Sequence, residues 1–287
     1  MLRFIILFGF TYFFMKLHAT GDISKYINMK YSYLSFTMIF IMAFLTFYQL
    51  IKWVRAGNKD HHHDHIHEQL HGHSHDHDEN TWYKKLLTYG LLIIPVATGI
   101  FLPVATLNST IVKAKGFHFS EIDNDTDQYA NHQVLRPNSS LYYDTDQYAE
   151  MENKDLKQYR GMSHITLDDN HYFHGLETIY NYPGNFIGKK VTIKGFVYRT
   201  DDLKANQVFV LRFGIIHCIA DAGVYGMLIN FPNDMKKELK ENDWIQVEGT
   251  LATTYYQPFQ ENIPYLKVTK YESVPEPKDP YVYRQYN

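Results

Sequence analysis

Between Lys30 and Lys52 the chain has 21 consecutive residues without a charge, Tyr31 to Ile51. A helix of that length spans a hydrocarbon core of roughly 30 Å. Backbone amides that enter lipid must find their partners within the segment, so the run predicts a spanning helix and excludes a loop. Tyr31, Tyr33, Tyr48 and Trp53 stand near its ends, where amphipathic rings favour the headgroup layer.

Two further apolar stretches flank it. Leu86 to Val112 is uncharged but holds Pro95, Gly99 and Pro103, which kink a helix and leave carbonyls for neighbours to satisfy. Phe4 to Met15 is short, with Arg3 before it and Lys16 after it. Its length resembles a signal-peptide core, yet Leu17-His18-Ala19-Thr20 offers no evident small-x-small cleavage site. The reading is an uncleaved first helix with Lys16 snorkelling to the interface. A cleaved signal is the alternative.

Three spans with the N-terminus inside put Arg3, Lys52, Arg55, Lys59, Lys84 and Lys85 in the cytoplasm. Lys16, Lys25, Lys30, Lys113 and Lys115 then lie on the other side. That excess places the C-terminal part outside the cell membrane.

Between the second and third helices, His61, His62, His63, His65, His67, His71, His73, His75 and His77 make up nine of the chain's 16 histidines, interleaved with Asp64, Asp76 and Asp78. Imidazole suits zinc and other divalent transition metals and is largely neutral at pH 7, so few protons must be displaced. The spacing allows many overlapping ligand sets and no single closed tetrahedron, which predicts exchangeable binding of several ions. The bland reading is a low-complexity linker whose length alone matters.

Residues 113–163 are polar and Asp-rich. Asp-Thr-Asp-Gln-Tyr-Ala occurs at Asp125–Ala130 and again at Asp144–Ala149. Two copies are too few for a solenoid, and the glycine and distal glutamate of a calcium loop are missing. The segment reads as a flexible acidic spacer, with calcium binding a minor option. Thr166-Leu167-Asp168-Asp169 then signals the start of a helix over about His171 to Tyr180, ended by Pro183-Gly184. His171 and His174 fall one turn apart on it.

Alternation begins at Gly188. Lys190–Arg199, Gln207–Ile216, Tyr225–Asn230, Trp244–Leu251 and Tyr265–Tyr271 read as five strands, with a Lys-rich helix candidate at Pro232–Glu241 between the third and fourth. That order is the order of an OB barrel, and Gly195 and Gly249 fall where a small barrel must bend. From Asn181 onward there are 13 Lys/Arg against 12 Asp/Glu and no basic stripe, so nucleic acid is a poor fit. The chain thus divides into a membrane α-helical module of about three transmembrane helices (1–112, His-rich at 60–78), the spacer (113–163), a helix with an all-β OB-like five-stranded barrel (164–275), and a tail (276–287).

The single cysteine excludes an intrachain disulfide. It sits in His217-Cys218-Ile219-Ala220-Asp221, where His217, Cys218 and Asp221 are candidate metal ligands if the strand bends there. A packed thiol is the bland alternative. No nucleophile elbow, phosphate loop or paired acid and base is present, so no enzyme is expected.

Pro95 with Pro103-Val104-Ala105-Thr106-Leu107, Lys115-Gly116, Gly188-Lys189-Lys190-Val191, Gly195-Phe196-Val197-Tyr198-Arg199 and Cys218-Ile219-Ala220-Asp221-Ala222 together resemble the YcgQ-type family of bacterial membrane proteins. In that family the cysteine motif usually reads Cys-Cys; here His217 takes the first place. The resemblance implies an accessory subunit of a multi-spanning permease. With the histidines, the reading is a permease subunit that handles Zn2+ or another divalent metal. The alternative is a membrane-tethered OB module that binds an envelope polymer or nucleic acid.

Overall fold

The computed structural model describes residues 2–57, 82–104, 106–115, 135–232 and 239–285. They fall into two compact units: residues 1–24 with 29–105, and residues 25–28 with 106–287.

The first unit is helical. α1 (Leu2–Thr20), α2 (Ser32–Gly57) and α3 (Trp82–Phe101) are apolar and present most of their large side chains outward. Among the described residues two stretches, Leu2–Thr20 and Met29–Arg55, are long and apolar enough to cross a membrane. Leu86–Phe101 is a shorter apolar helix. The expected third span therefore falls below that length, although a helix forms there.

α1 holds both neighbours. His18 Nε2 meets Ser35 Oγ at 2.9 Å, and the Thr11 and Thr46 hydroxyls lie 3.4 Å apart. Lys16 does not simply snorkel: its ammonium donates to the Ile100 carbonyl at 2.9 Å, one of the last carbonyls of α3, which lack an intrahelical donor. Glycine sets the α1–α3 approach, since a Cβ at Gly9 would meet Val96 and one at Gly99 would overlap the Phe13 ring.

The second unit opens with α4 (Ser109–Lys115). Within the stretch read as a flexible spacer, α5 (Thr145–Arg160) forms a four-turn helix. Asp144 caps it by accepting the Gln147 amide at 2.8 Å, so the second Asp-Thr-Asp copy is a helix start and not a calcium loop. The first copy lies outside the described residues. α6 (Tyr172–Asn181) agrees with the expected helix to within a residue at each end.

The sheet is mixed and seven-stranded: β1 (His164–Leu167), β2 (Lys190–Tyr198), β3 (Gln207–Ile215), β4 (Gly223–Asn230), β5 (Trp244–Tyr256), β6 (Glu261–Ser273) and β7 (Val282–Tyr283), ordered β1-β2-β5-β6-β4-β3-β7 with β2 also pairing β3. All five expected strands are present. β5 and β6 run on into a long hairpin, and β1 and β7 add parallel edges to β2 and β3. The contacts β2–β3, β3–β4, β4–β6, β6–β5 and β5–β2 make a partial ring, with β4–β6 parallel. The expected helix at Pro232–Glu241 falls mostly on 233–238, outside the described residues.

β3 is buried on both faces. Val208 and Val210 join Val191, Ile193, Met227, Ile245, Val247 and Leu266 in one core, which α6 covers with Leu176 and Ile179. Phe209, Leu211, Phe213 and Ile215 join a second core with Phe196, Trp244 and Tyr256, closed by Val112, Leu135 and Tyr281. The backbone follows these covers: Gly226 N–H donates to the Leu135 carbonyl at 3.0 Å, and Leu107 N–H to the Tyr281 hydroxyl at 2.9 Å. The expected tail is thus part of the second core.

Glycine lets neighbouring strands approach closely at Gly195 and Gly226. A Cβ on Gly195 or Gly226 would overlap the carbonyl of Leu211 or Val210, so neither neighbouring strand can yield without losing its ladder. Gly226→Ala is expected to lower stability by about 1–3 kcal/mol, read as a fall in the melting temperature of the purified chain. Gly184→Ala, with nothing within 4 Å of the added carbon, serves as the neutral comparison.

Candidate functional site at the β3–β4 connection

β3 ends at Ile215 and β4 begins at Gly223, so residues 216–222 must reverse the chain within one tight connection. Asp221 organises it. Its carboxylate accepts the amides of Ile216 at 3.2 Å, His217 at 2.9 Å and Cys218 at 3.2 Å, and its Oδ2 meets His217 Nδ1 at 2.9 Å. A carboxylate is acceptor-only, and backbone donors occupy both oxygens. Of the three expected ligands, Asp221 is therefore committed to the fold, while half-buried Cys218 and exposed His217 flank it. The connection does not gather an ion-binding set. Among the described residues no group of three or more His, Cys, Asp or Glu could hold a metal ion.

Residues 25–28, which precede α2 in the chain, pair with this connection. Asn28 N–H donates to the His217 carbonyl at 2.9 Å and Ile219 N–H to the Tyr26 carbonyl at 2.8 Å, which sets Ile27 opposite Cys218. The Asn28 side chain is almost fully buried, and its Nδ2 donates to the carbonyls of Ile216 and Arg284, both at 3.0 Å. One amide group thus ties the end of β3 to the C-terminal segment.

A second polar cluster lies under α5. Glu177 on α6 accepts from Ser139 N–H at 2.7 Å and Ser139 Oγ at 2.6 Å. His174 Nδ1 meets Asp155 Oδ2 at 2.8 Å, and its Nε2 faces the Gln285 carbonyl at 3.2 Å. With acceptors at both nitrogens, the ring is suited to carry two protons. A cavity of about 290 Å³ opens beside it, lined by Tyr143, Gln147, Glu150, Met151, Lys154 and Asp155. Burial alone would lower the His174 pKa, but Asp155 and the Gln285 carbonyl raise it above the ordinary value. Burial raises Glu177, partly opposed by Ser139 and Arg284. It also pushes Tyr148, beside Glu177 and Glu152, up to about 12.

His171 does not join His174. It pairs instead with Asp168 at 2.8 Å on the exposed side. Partial burial raises Asp168, yet the bonds from His171 and Asn170 hold it below the usual carboxylate value. His61, His62, His63, His65, His67, His71, His73, His75 and His77 lie outside the described residues.

Comparison with known proteins covers both units. The DUF1980 N-terminal domain matches residues 2–118 and the DUF1980 C-terminal domain residues 142–284. The chain is 50% identical over 286 residues to UPF0703 protein YcgQ of Bacillus subtilis (strain 168), with 99% of each covered. The chain belongs to the YcgQ family. A second relative, from Streptococcus mutans, is 33% identical over 289 residues, again with 99% of each chain covered. Its name describes a candidate subunit of a two-component membrane permease complex. The YcgQ resemblance seen in the sequence motifs therefore extends along the whole chain, including the stretch between its two groups of motifs.

The His174 cluster sets a pH dependence. A folded-state value above the unfolded one means the folded chain holds the proton more tightly. The stability from His174 is then complete below its ordinary value of 6.5 and is lost as pH rises through the raised folded value. Glu177, also raised, acts with the same sign from its ordinary value of 4.5 upward. The melting temperature of the purified chain is expected to fall as pH rises above 6.5, and His174→Gln to flatten that fall.

Proposed function

We propose that this chain is an accessory subunit of a membrane permease. The observation that carries the reading is the full-length relationship to a Streptococcus mutans protein named for a two-component membrane permease complex. The apolar helices α1 and α2 agree with such a role.

In the finer form of the proposal three helices span a bacterial cell membrane, and the sheet unit is an OB-type barrel on the outer side. The order β2-β3-β4-β6-β5 with its β4–β6 parallel contact supports the barrel type. The excess of Lys and Arg on the other side supports the orientation. The cargo of the permease is a divalent transition metal, zinc first among them, gathered by the histidines from His61 to His77. Imidazole density supports that step, and the sequence is its only support. His217, Cys218 and Asp221 are not assigned to it, because Asp221 already serves the backbone.

The competing reading, a tethered module that binds a polymer, finds less support. Domains of the OB type commonly take their ligand on the outer face of their second and third strands. Here both faces of β3 are buried, one of them under Val112, Leu135 and Tyr281.

Affinity purification of the tagged chain from membranes tests the proposal. A multi-spanning protein is expected to co-elute in near-equal amount; recovery of the chain alone sinks the subunit reading. Deleting residues 60–78 is expected to change cellular zinc content and zinc tolerance. If neither changes, the metal step falls and the subunit reading stands.

A further inference from the structure

Residues 25–28 belong to the sheet unit, although α1 precedes them and α2 follows. The bonds from Asn28 N–H to the His217 carbonyl and from Ile219 N–H to the Tyr26 carbonyl flank the pair Ile27–Cys218 without joining it. That is the non-hydrogen-bonded type of antiparallel pair, in which opposite Cα atoms come closest, at about 4.5 Å. The buried Asn28 amide adds two bonds to the same unit.

A folded unit cannot straddle a hydrocarbon core, because its loops and open backbone groups would be stranded in lipid. Residues 25–28 and the sheet they pair with therefore share one side of the membrane. If α1 and α2 span, as the proposed function holds, α1 arrives at that side and α2 leaves it. The end of α2 then lies on the opposite side. The chain rejoins the sheet unit at Thr106, so between 57 and 106 it must cross an odd number of times. α3 is the one described helix in that interval. Its apolar part, Leu86–Phe101, is only about 24 Å long at 1.5 Å per residue, yet the pairing requires it to cross.

We infer that residues 25–28 are a segment paired with the sheet unit that fixes the membrane topology, so that α3 crosses and the nine-histidine connection and Cys218 lie on opposite faces of the bilayer. An ion captured by that connection is thus separated from the sheet unit by the transport step itself. The histidines then address the face where the chain's N-terminus lies.

Cys218, the single cysteine, supplies the test. Ile27→Cys places a second thiol within the range that a disulfide bridges. In the full-length chain in isolated membranes, diamide is expected to remove both thiols from later maleimide labelling of the denatured protein, and a linked 27–218 peptide to be recovered. Two thiols that persist in a variant with wild-type melting overturn the pairing. Leu70→Cys and Lys204→Cys, each in a Cys218→Ala background, then report sidedness to a membrane-impermeant maleimide. One is expected to react in intact cells and the other only after permeabilisation; reaction of both from one side overturns the topology. An intact 27–218 disulfide in a chain that co-purifies with no permease would sink the subunit reading and leave this inference standing.

Discussion

The sheet unit depends on one buried cation. Arg212 projects from β3 and has no exposed surface. Taking a guanidinium out of water costs several kcal/mol unless its donors are met. Here Nη1 pairs with Asp169, Nη2 donates to the Tyr281 carbonyl at 2.9 Å and Nε reaches the Pro280 carbonyl at 3.4 Å. The rings of Tyr172 and Trp244 stand 5.7 Å from its centre. Those carbonyls belong to the C-terminal segment, so the charge on β3 pulls that segment onto the sheet. The same segment makes further contacts along the sheet unit. Tyr281 seals the second core, β7 pairs with β3, Arg284 N–H bonds the Ile215 carbonyl, and Gln285 receives His174.

Much of this architecture was legible in the residues. The five ring strands showed their alternation; Gly249 falls at a register shift of β5, and Gly195 where β2 closely approaches β3. What escaped has a common physical cause. β1 and β7 are short and parallel, and they are strands only because a distant partner offers an edge. α5 lies in a polar stretch with few apolar residues, so its period is faint; Asp144 as a cap is the available signal, set in a segment that otherwise reads as a flexible acidic spacer. The site was legible by residue type and not by role. His217, Cys218 and Asp221 were found, but a ligand set and a carboxylate cap look alike until the backbone is placed. Asn28 and Arg284 could not be foreseen, since their partners lie far along the chain. Arg212 did leave a trace, a lone charge within Val-Leu-Arg-Phe-Gly, which needs a buried partner in any folded chain.

These features narrow the function by excluding alternatives more than by exposing a centre. The sealed face of β3 leaves little room for a polymer, and the committed Asp221 leaves little for an ion. What remains prominent is attachment. The unit is stitched to its own preceding connection, to its own tail and to the segment that follows α3. A domain that holds its own chain segments in fixed register fits the proposed accessory role, and the Streptococcus mutans relative's name, which describes a candidate permease-complex subunit, agrees with that.

The pairing of Ile27 with Cys218 also limits how this chain can evolve. Connections between spanning helices normally drift freely in length, because water solvates whatever is added. Here Tyr26 to Asn28 are held by backbone bonds on either side of the Ile27–Cys218 bridge, after a 3-10 turn at Asp22–Lys25. A single residue inserted between Tyr26 and Asn28 would turn Ile27 away from Cys218 or pull the Asn28 amide from its two carbonyls. Length changes within Tyr26–Asn28 should therefore be rare among descendants of the chain, and those that survive should fall in the turn before it.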